Sequence, residues 1–346
     1  MTKPELTPIV ERRDVPWRSW AGGLSSALSA VILGLVLRRF ATAVPVALGV
    51  SVLTFWILNL LPGNAAWSLL GTDATAADAA QLEAKLGLDL PATERYLQWL
   101  RGLLSGDLGK SLASGRPVTN LIAERLAVTA ELAGLAVLLA TVCAVGMALL
   151  AARTPLADRV GAIVSMVGIS LPNYVLAIVL VLGLAVHARI LPSIGFVPIQ
   201  ESPWGNIKSL ILPVSALAFP LFSICSRFLR GDLAEQMERE GYILTAKAKG
   251  VGPWSVLVRH ALRNSLAGLV TIVGLNLGPL IGGAVVIEQI FALPGIGRLL
   301  LQAINIRDVV VVQGIVLVIA LITVSATLCV DLLYLALDPR IGRGRR

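Results

Sequence analysis

Charge is scarce in this sequence: only 14% of its 346 residues are Asp, Glu, Lys or Arg, and aromatic residues make up 5%. It holds just two histidines and three cysteines. Each shortage excludes something. So little charge does not suit a disordered or ordinary soluble chain. His187 and His260 stand far apart, with no cysteine beside either outside the apolar runs, so neither a zinc-type ligand spacing nor a nucleophilic triad can be drawn. Cys143, Cys225 and Cys329 all fall inside apolar runs, which excludes a disulfide framework and reads them as small core residues. A phosphate-binding loop is missing too. Gly109-Lys110-Ser111 imitates its end, but the motif needs glycine where Leu104 stands.

What is present is apolar surface, at 56% of residues and a mean hydropathy of +0.82. Crossing roughly 30 Å of hydrocarbon takes about 20 helical residues. Six runs are long enough: Phe40–Leu61, Val128–Ala152, Val160–Val186, Ser209–Ser226, Ser265–Ile290 and Val309–Leu333. The expected fold class is an all-α polytopic membrane protein with six transmembrane helices. A net charge of +8 would suit nucleic acid, but its distribution sets orientation instead. Placing the amino terminus inside puts nineteen basic residues against ten acids on that side, and ten against eleven outside. Both termini are therefore expected in the cytoplasm.

Four regions follow. Residues 1–39 form a cytoplasmic extension in which Leu24–Leu37 resembles a signal peptide; Arg38 and Arg39, placed ahead of the would-be cleavage site at Ala41-Thr42-Ala43, argue for an uncleaved interfacial helix. Residues 40–61 form the first span. A break at Leu61-Pro62-Gly63-Asn64 opens an extramembrane module, 62–127, with short helices expected at Asp78–Leu86 and Ala92–Leu104. Residues 128–346 hold the other five spans, interrupted by an inner loop at 228–264.

That inner loop is the most informative segment. Asp232 is expected to cap a helix running to about Glu240, Gly241 permits a break, and Ile243–Lys249 forms a short helix ended by Gly250. Thr245, Ala246 and Ala248 are small enough for a partner surface to approach closely, while Lys247 and Lys249 offer charge to acidic groups. It reads as a docking handle that pivots as one piece. The plainer reading is a basic loop obeying the charge rule.

The segment Gly241-Tyr242-Ile243-Leu244-Thr245-Ala246-Lys247-Ala248-Lys249-Gly250, followed by His260-Ala261-Leu262-Arg263-Asn264, resembles the permease subunits of binding-protein-dependent ATP-binding-cassette importers. The likeness is to the dipeptide, oligopeptide and nickel branch, and it spans nearly the whole chain. Further matches are Leu86-Gly87-Leu88-Asp89 with Pro91, Gly106-Asp107-Leu108-Gly109 with Ser111, Glu288 through Phe291, Pro294-Gly295-Ile296-Gly297-Arg298, Arg307-Asp308, Val312-Gln313-Gly314, and Asp331-Leu332-Leu333-Tyr334 before Asp338-Pro339-Arg340. The wider superfamily carries Glu-Ala-Ala where this chain has Leu244-Thr245-Ala246, and the peptide branch is similar in lacking that Glu. A Leu-Pro pair is replaced by Ala267-Gly268.

The resemblance implies a type I importer permease fold and coupling to an ATPase through Gly241, Tyr242, Thr245, Ala246, Lys247, Ala248, Lys249 and Gly250. It implies as partners a second permease, two ATPase subunits or domains that bind ATP and Mg, and an external binding protein, in a bacterial inner membrane with no nucleic acid involved. No cofactor or metal is expected in this chain, nor catalysis by it. Short peptides are the expected substrate, with nickel complexes, glutathione-like peptides or another small solute as alternatives.

The fifth run carries polar and small residues at depth. Asn276 lies about eleven residues from its inner end, so roughly 16 Å up and near mid-membrane. With Gly274, Gly278 and Pro279 it either lines the solute path or makes a helix-packing hydrogen bond. Glu288, near the outer surface, reads as a gate or docking carboxylate or as a simple interfacial one. Asp331 is expected to pair with an inner-face arginine. The rival readings are an ion-coupled secondary transporter, which should show internal repeats and mid-membrane charge, and a non-transporting membrane scaffold.

Overall fold

The computed structural model describes residues 17–60, 65–70, 75–239 and 241–337. The break expected at Leu61-Pro62-Gly63-Asn64, the residues before Trp17, Glu240 and the Asp338-Pro339-Arg340 motif lie outside the described residues. Apart from one isolated bridge between Lys110 and Pro117, every named element among the described residues is helical.

The chain runs through α1 (Trp17–Leu60), α2 (Ala65–Leu70), α3 (Ala76–Leu86), α4 (Ala92–Leu104), α5 (Val118–Ala151), α6 (Pro155–Ser170) and α7 (Asn173–Leu180), which continues as a π-helical stretch to His187. It goes on through α8 (Pro203–Arg239), α9 (Gly241–Ala248), α10 (Pro253–Ser255), a second π-helical stretch (Val256–Leu262), α11 (Arg263–Ile290), α12 (Ile296–Asn305) and α13 (Val309–Leu337). Among the described residues, five helical segments are long and apolar enough to span a membrane, Val36–Leu60, Val118–Ala151, Pro203–Arg239, Pro253–Ile290 and Val309–Leu333, and a sixth exists if the bent pair α6–α7 is counted.

Three sequence expectations are corrected. The third apolar run is not one straight span: it turns by 106° between α6 and α7. The cause is Pro172, which lacks a backbone donor and forces Leu171 into an extended conformation, φ −92° and ψ 118°. The stretch Leu24–Leu37 does not form a helix separate from the first span, since α1 passes through Arg38 and Arg39 without a break. And α5 begins at Val118 rather than Val128, because Val118, Leu121, Ile122 and Val128 keep helical spacing and are buried.

The main core joins α5, α7, α8, α9 and α11. On α5, Leu132, Ala136, Ala140, Ala144 and Ala148 recur every fourth residue and are at most 1% exposed, an alanine strip that lets neighbouring backbones approach closely. A second, smaller core packs the first turns of α5 against α12 and α13. The bundle thus has two distinct ends. At one, α9 closes off α8, the ion pair Arg230–Asp158 (2.8 Å) ties α8 to α6, and Arg153 lies 3.8 Å over the Trp254 ring. At the other sit α3, α4, α12 and the loop before α5.

Candidate coupling site and translocation path

α9 is a short helix because its carboxyl end is sealed by a specific turn. Gly250, at φ +76°, takes the left-handed conformation that ends a helix. Its N–H donates to the Lys247 carbonyl (3.0 Å) and the Val251 N–H to the Ala246 carbonyl (3.2 Å), the paired bonds of a Schellman cap. At the other end, Gly241 starts α9 directly beyond α8. Asp232 does not cap a helix as the sequence suggested, because α8 runs on to Arg239 and the Asp232 carboxylate accepts from Gln236 one turn later (2.7 Å).

The helix has two faces. Ile243 and Ala246, three residues apart and so on one side, are 0% and 7% exposed and belong to the main core. Ala246 therefore faces its own bundle, and the surface open to a partner is formed by Gly241, Tyr242, Leu244, Thr245, Lys247, Ala248, Lys249 and Gly250, all exposed. Two of these also anchor the helix. The Tyr242 hydroxyl donates to the Gln236 amide oxygen on α8, and Lys247 Nζ donates to the Met237 carbonyl (3.2 Å). A cation at the carboxyl end of α8 also complements that helix's dipole. Nothing in the sequence pattern flagged Gln236; its burial beside a basic loop shows only in three dimensions. A cavity of about 830 Å³ opens between the α5–α6 corner, the end of α8 and Trp254.

The path candidates on α11 do not converge on one point. Asn276 is half-buried, and its amide donates to the Ile272 carbonyl of its own helix (2.7 Å). Leu275, Pro279, Gly282, Val286 and Gln289 form one exposed strip at helical spacing, while Gly278 is partly covered. Beside this strip lies a residue the sequence reading missed, Asn173 at the α6–α7 bend. A Cβ on Gly283 would come within 2.4 Å of the Asn173 amide nitrogen, so a side chain there would push that amide aside. The bend that brings Asn173 there was hidden inside an unbroken apolar run.

Glu288 sits elsewhere. It is 0% exposed, accepts from the Thr129 hydroxyl of α5 (2.6 Å) and from the Arg298 N–H of α12 (3.0 Å), and a Cβ on Gly295 would collide with its carboxylate at 2.2–2.3 Å. In this chain it is a tie between three helices rather than an exposed gate, because donors from α5 and α12 enclose the carboxylate on α11. A similar tie joins two distant motifs: Asp308 accepts from the Ser111 hydroxyl (2.6 Å) and from the Ala113 N–H (3.3 Å). Gly314 leaves room for Val118, whose Cγ1 would lie 2.7 Å from an added Cβ. Five of the short motifs, those holding Ser111, Glu288, Gly295, Asp308 and Gly314, thus pack at one end of the bundle.

Comparison with known proteins matches residues 140–343 to the binding-protein-dependent transport system inner membrane component and residues 32–133 to the amino-terminal component of such membrane proteins. A putative peptide transport system permease protein of Brucella melitensis is 42% identical over 313 residues, covering 90% of this chain and 99% of the relative. The dipeptide transport system permease protein of Alkalihalophilus pseudofirmus is 36% identical over 90% of this chain and 99% of its own length. The glutathione transport system permease protein of Salmonella typhi is 36% identical with the same coverage of each. With a core built from membrane-spanning helices and these relatives matched along nearly their full length, the chain belongs to the family of binding-protein-dependent transport system inner membrane components, multi-pass permeases with the type I importer fold.

Proposed function

We propose that this chain is the permease subunit of an ATP-driven importer of di- and oligopeptides, sharing the solute path with a second, similar permease. ATP and Mg are bound by two partner ATPase subunits or domains, and an external binding protein delivers the peptide. The carrying observation is α9, a helix anchored to the bundle by one face while Leu244, Thr245, Ala248 and Lys249 stay exposed on the other. Charge bias assigns the α9 end and both termini to the cytoplasm. The opposite end, with α3, α4 and α12, then receives the binding protein. The relatives named for peptide, dipeptide and glutathione transport support the substrate class.

In this reading closure of the ATPases pulls on α9, the two permeases rock, and the path opens outward; hydrolysis resets it. Asn276, Gly278 and Pro279, joined by Asn173, contribute to the path, and Glu288 shapes its outer end. The test is reconstitution of the chain with its second permease, ATPases and binding protein in proteoliposomes. ATP-dependent accumulation of a labelled dipeptide is the expected result. Accumulation by the chain alone, driven by an ion gradient with no ATPase present, would replace this reading with secondary transport.

A further inference from the structure

The amide of Gln236 is saturated, with two donors in and two bonds out. Its oxygen accepts from the Tyr242 hydroxyl of α9 and from Asn264 Nδ2 at the start of α11 (3.3 Å). Its nitrogen donates to the Asp232 carboxylate within α8 (2.7 Å) and to the Ser265 hydroxyl of α11 (3.1 Å). Gln236 is 7% exposed and Ser265 1%, so water competes little for the bond between them. One side chain thus bridges the last turns of α8, the handle helix and the first residues of the helix that carries the path candidates.

The covalent route between the same elements is indirect. From α9 it passes through the turn at Lys249–Gly252, the three residues of α10 and a π-helical stretch before α11 begins. A π-helical stretch departs from the regular hydrogen-bond ladder and is frequent at functional sites. The packing of Ile243 and Ala246 is apolar and sets no direction. The Gln236 bonds are directional, and they link the elements on either side of this stretch.

We infer that Gln236 is the positioning residue through which a displacement of α9 reaches α11, fixing how much solute moves per ATP hydrolysed. The inference rests on the coupling role of α9 given above and adds the route by which the motion arrives. It has a chemical consequence at each neighbour. Tyr242→Phe deletes only the hydroxyl that joins α9 to the amide. Ser265→Ala deletes only the hydroxyl that joins the amide to α11. Gln236→Leu keeps much of the volume but breaks all four bonds, and Gln236→Glu keeps the acceptor while setting a second carboxylate against Asp232.

The experiment uses the complete transporter in proteoliposomes, with labelled dipeptide uptake and phosphate release measured on the same preparation. Tyr242→Phe and Ser265→Ala should each lower dipeptide moved per ATP by about tenfold, the scale of one lost directional bond in a buried network. Because both act through one amide, the double variant should show little further loss beyond either single change. Gln236→Leu should reproduce that ratio, and the two single-hydroxyl variants decide the matter if it fails to assemble. An unchanged ratio in both hydroxyl variants, or losses that multiply in the double variant, overturns the inference. A wild-type complex that hydrolyses ATP without moving peptide overturns the underlying functional reading instead.

Discussion

Arg39 of α1 grips Asp331 of α13 with two nitrogens, Nη2 at 2.6 Å and Nε at 2.7 Å from the same carboxylate oxygen. The residues are 292 positions apart, and the pair pins the first span to the last at the α9 end. Charges at the rim of a bilayer are held by pairing, and removing one leaves the other exposed to a poor solvent. Asp331→Ala should lower the midpoint of thermal unfolding in nanodiscs, by an amount set by roughly 1–3 kcal/mol. Exchanging the two residues, Arg39→Asp with Asp331→Arg, should recover most of the loss. Equal damage from the single and exchanged variants would show that the pair contributes nothing.

That pairing was readable from the sequence, since an acid near the inner end of the last span needs a cation and arginines cluster there. The spans and α4 were equally legible, because apolar length and helical spacing are local properties. Direction was not. Hydropathy runs straight through Leu171-Pro172-Asn173, so the bend and the position of Asn173 stayed hidden. The inward turn of Ala246 depends on Ile243 finding a place in the core. Glu288 looks interfacial until Thr129, 159 residues away, and the α12 backbone close over it.

The two faces of α9 predict opposite failures. Ala246→Leu overfills a packed site, at a cost of about 1–3 kcal/mol, and should reduce the yield of folded permease. Thr245→Trp or Leu244→Glu alters only exposed surface, so the folded yield should hold while co-purification of the ATPases drops. Pull-down of the complex, normalised to folded permease by size-exclusion chromatography, separates the outcomes. ATPases retained by both surface variants would remove α9 from the interface.

At the start of α3, Thr75 and Asp78 form a reciprocal cap: Thr75 N–H donates to the Asp78 carboxylate (3.0 Å) and Asp78 N–H to the Thr75 hydroxyl (3.2 Å). The Thr75 hydroxyl bond, followed by its backbone bond, holds the Asp78 carboxyl below the ordinary carboxylate range. A depressed value means the cap's contribution is complete above the unfolded pKa, near 4, and is lost as pH falls through the lower folded value. Hydrogen exchange of the Ala79 amide should therefore be slow at pH 6 and quicken, beyond the intrinsic effect of pH, only in the acid range below 4. Asp78→Asn should flatten that acid limb. An identical profile in the variant would assign the protection elsewhere.

Asn173 lies beside the exposed strip of α11, against Gly283. If the strip bounds the path, a cysteine at 173 or at Gly282 in the assembled transporter should react with a water-soluble thiol reagent, and bound peptide should slow it. A cysteine at Ile163, 64% exposed on α6, serves as the comparison in the apolar belt and should react far less. Equal, slow labelling at 173, 282 and 163 would place the strip against lipid or a dry interface.

Glu288 and Gly295 make the sharpest test of the opposite end. The carboxylate occupies the space a side chain at 295 would need, so Gly295→Ala cannot be accommodated without moving Glu288 away from Thr129 and the Arg298 N–H. Thr129 also receives the first N–H of α12, from Ile296 at 2.9 Å. Losing this set leaves a buried carboxylate short of donors, which costs about 1–3 kcal/mol per unmet group. Gly295→Ala and Glu288→Ala should therefore both loosen α12 from α5, read as a lower unfolding midpoint and as weaker disulfide trapping between cysteines placed on the two helices. Glu288→Gln should fall between wild type and Glu288→Ala, because the amide keeps one acceptor but turns a donor toward the other N–H. If Gly295→Ala leaves both readouts at wild-type values, the carboxylate is not held where the three helices meet, and this end of the bundle is ordered by apolar packing alone.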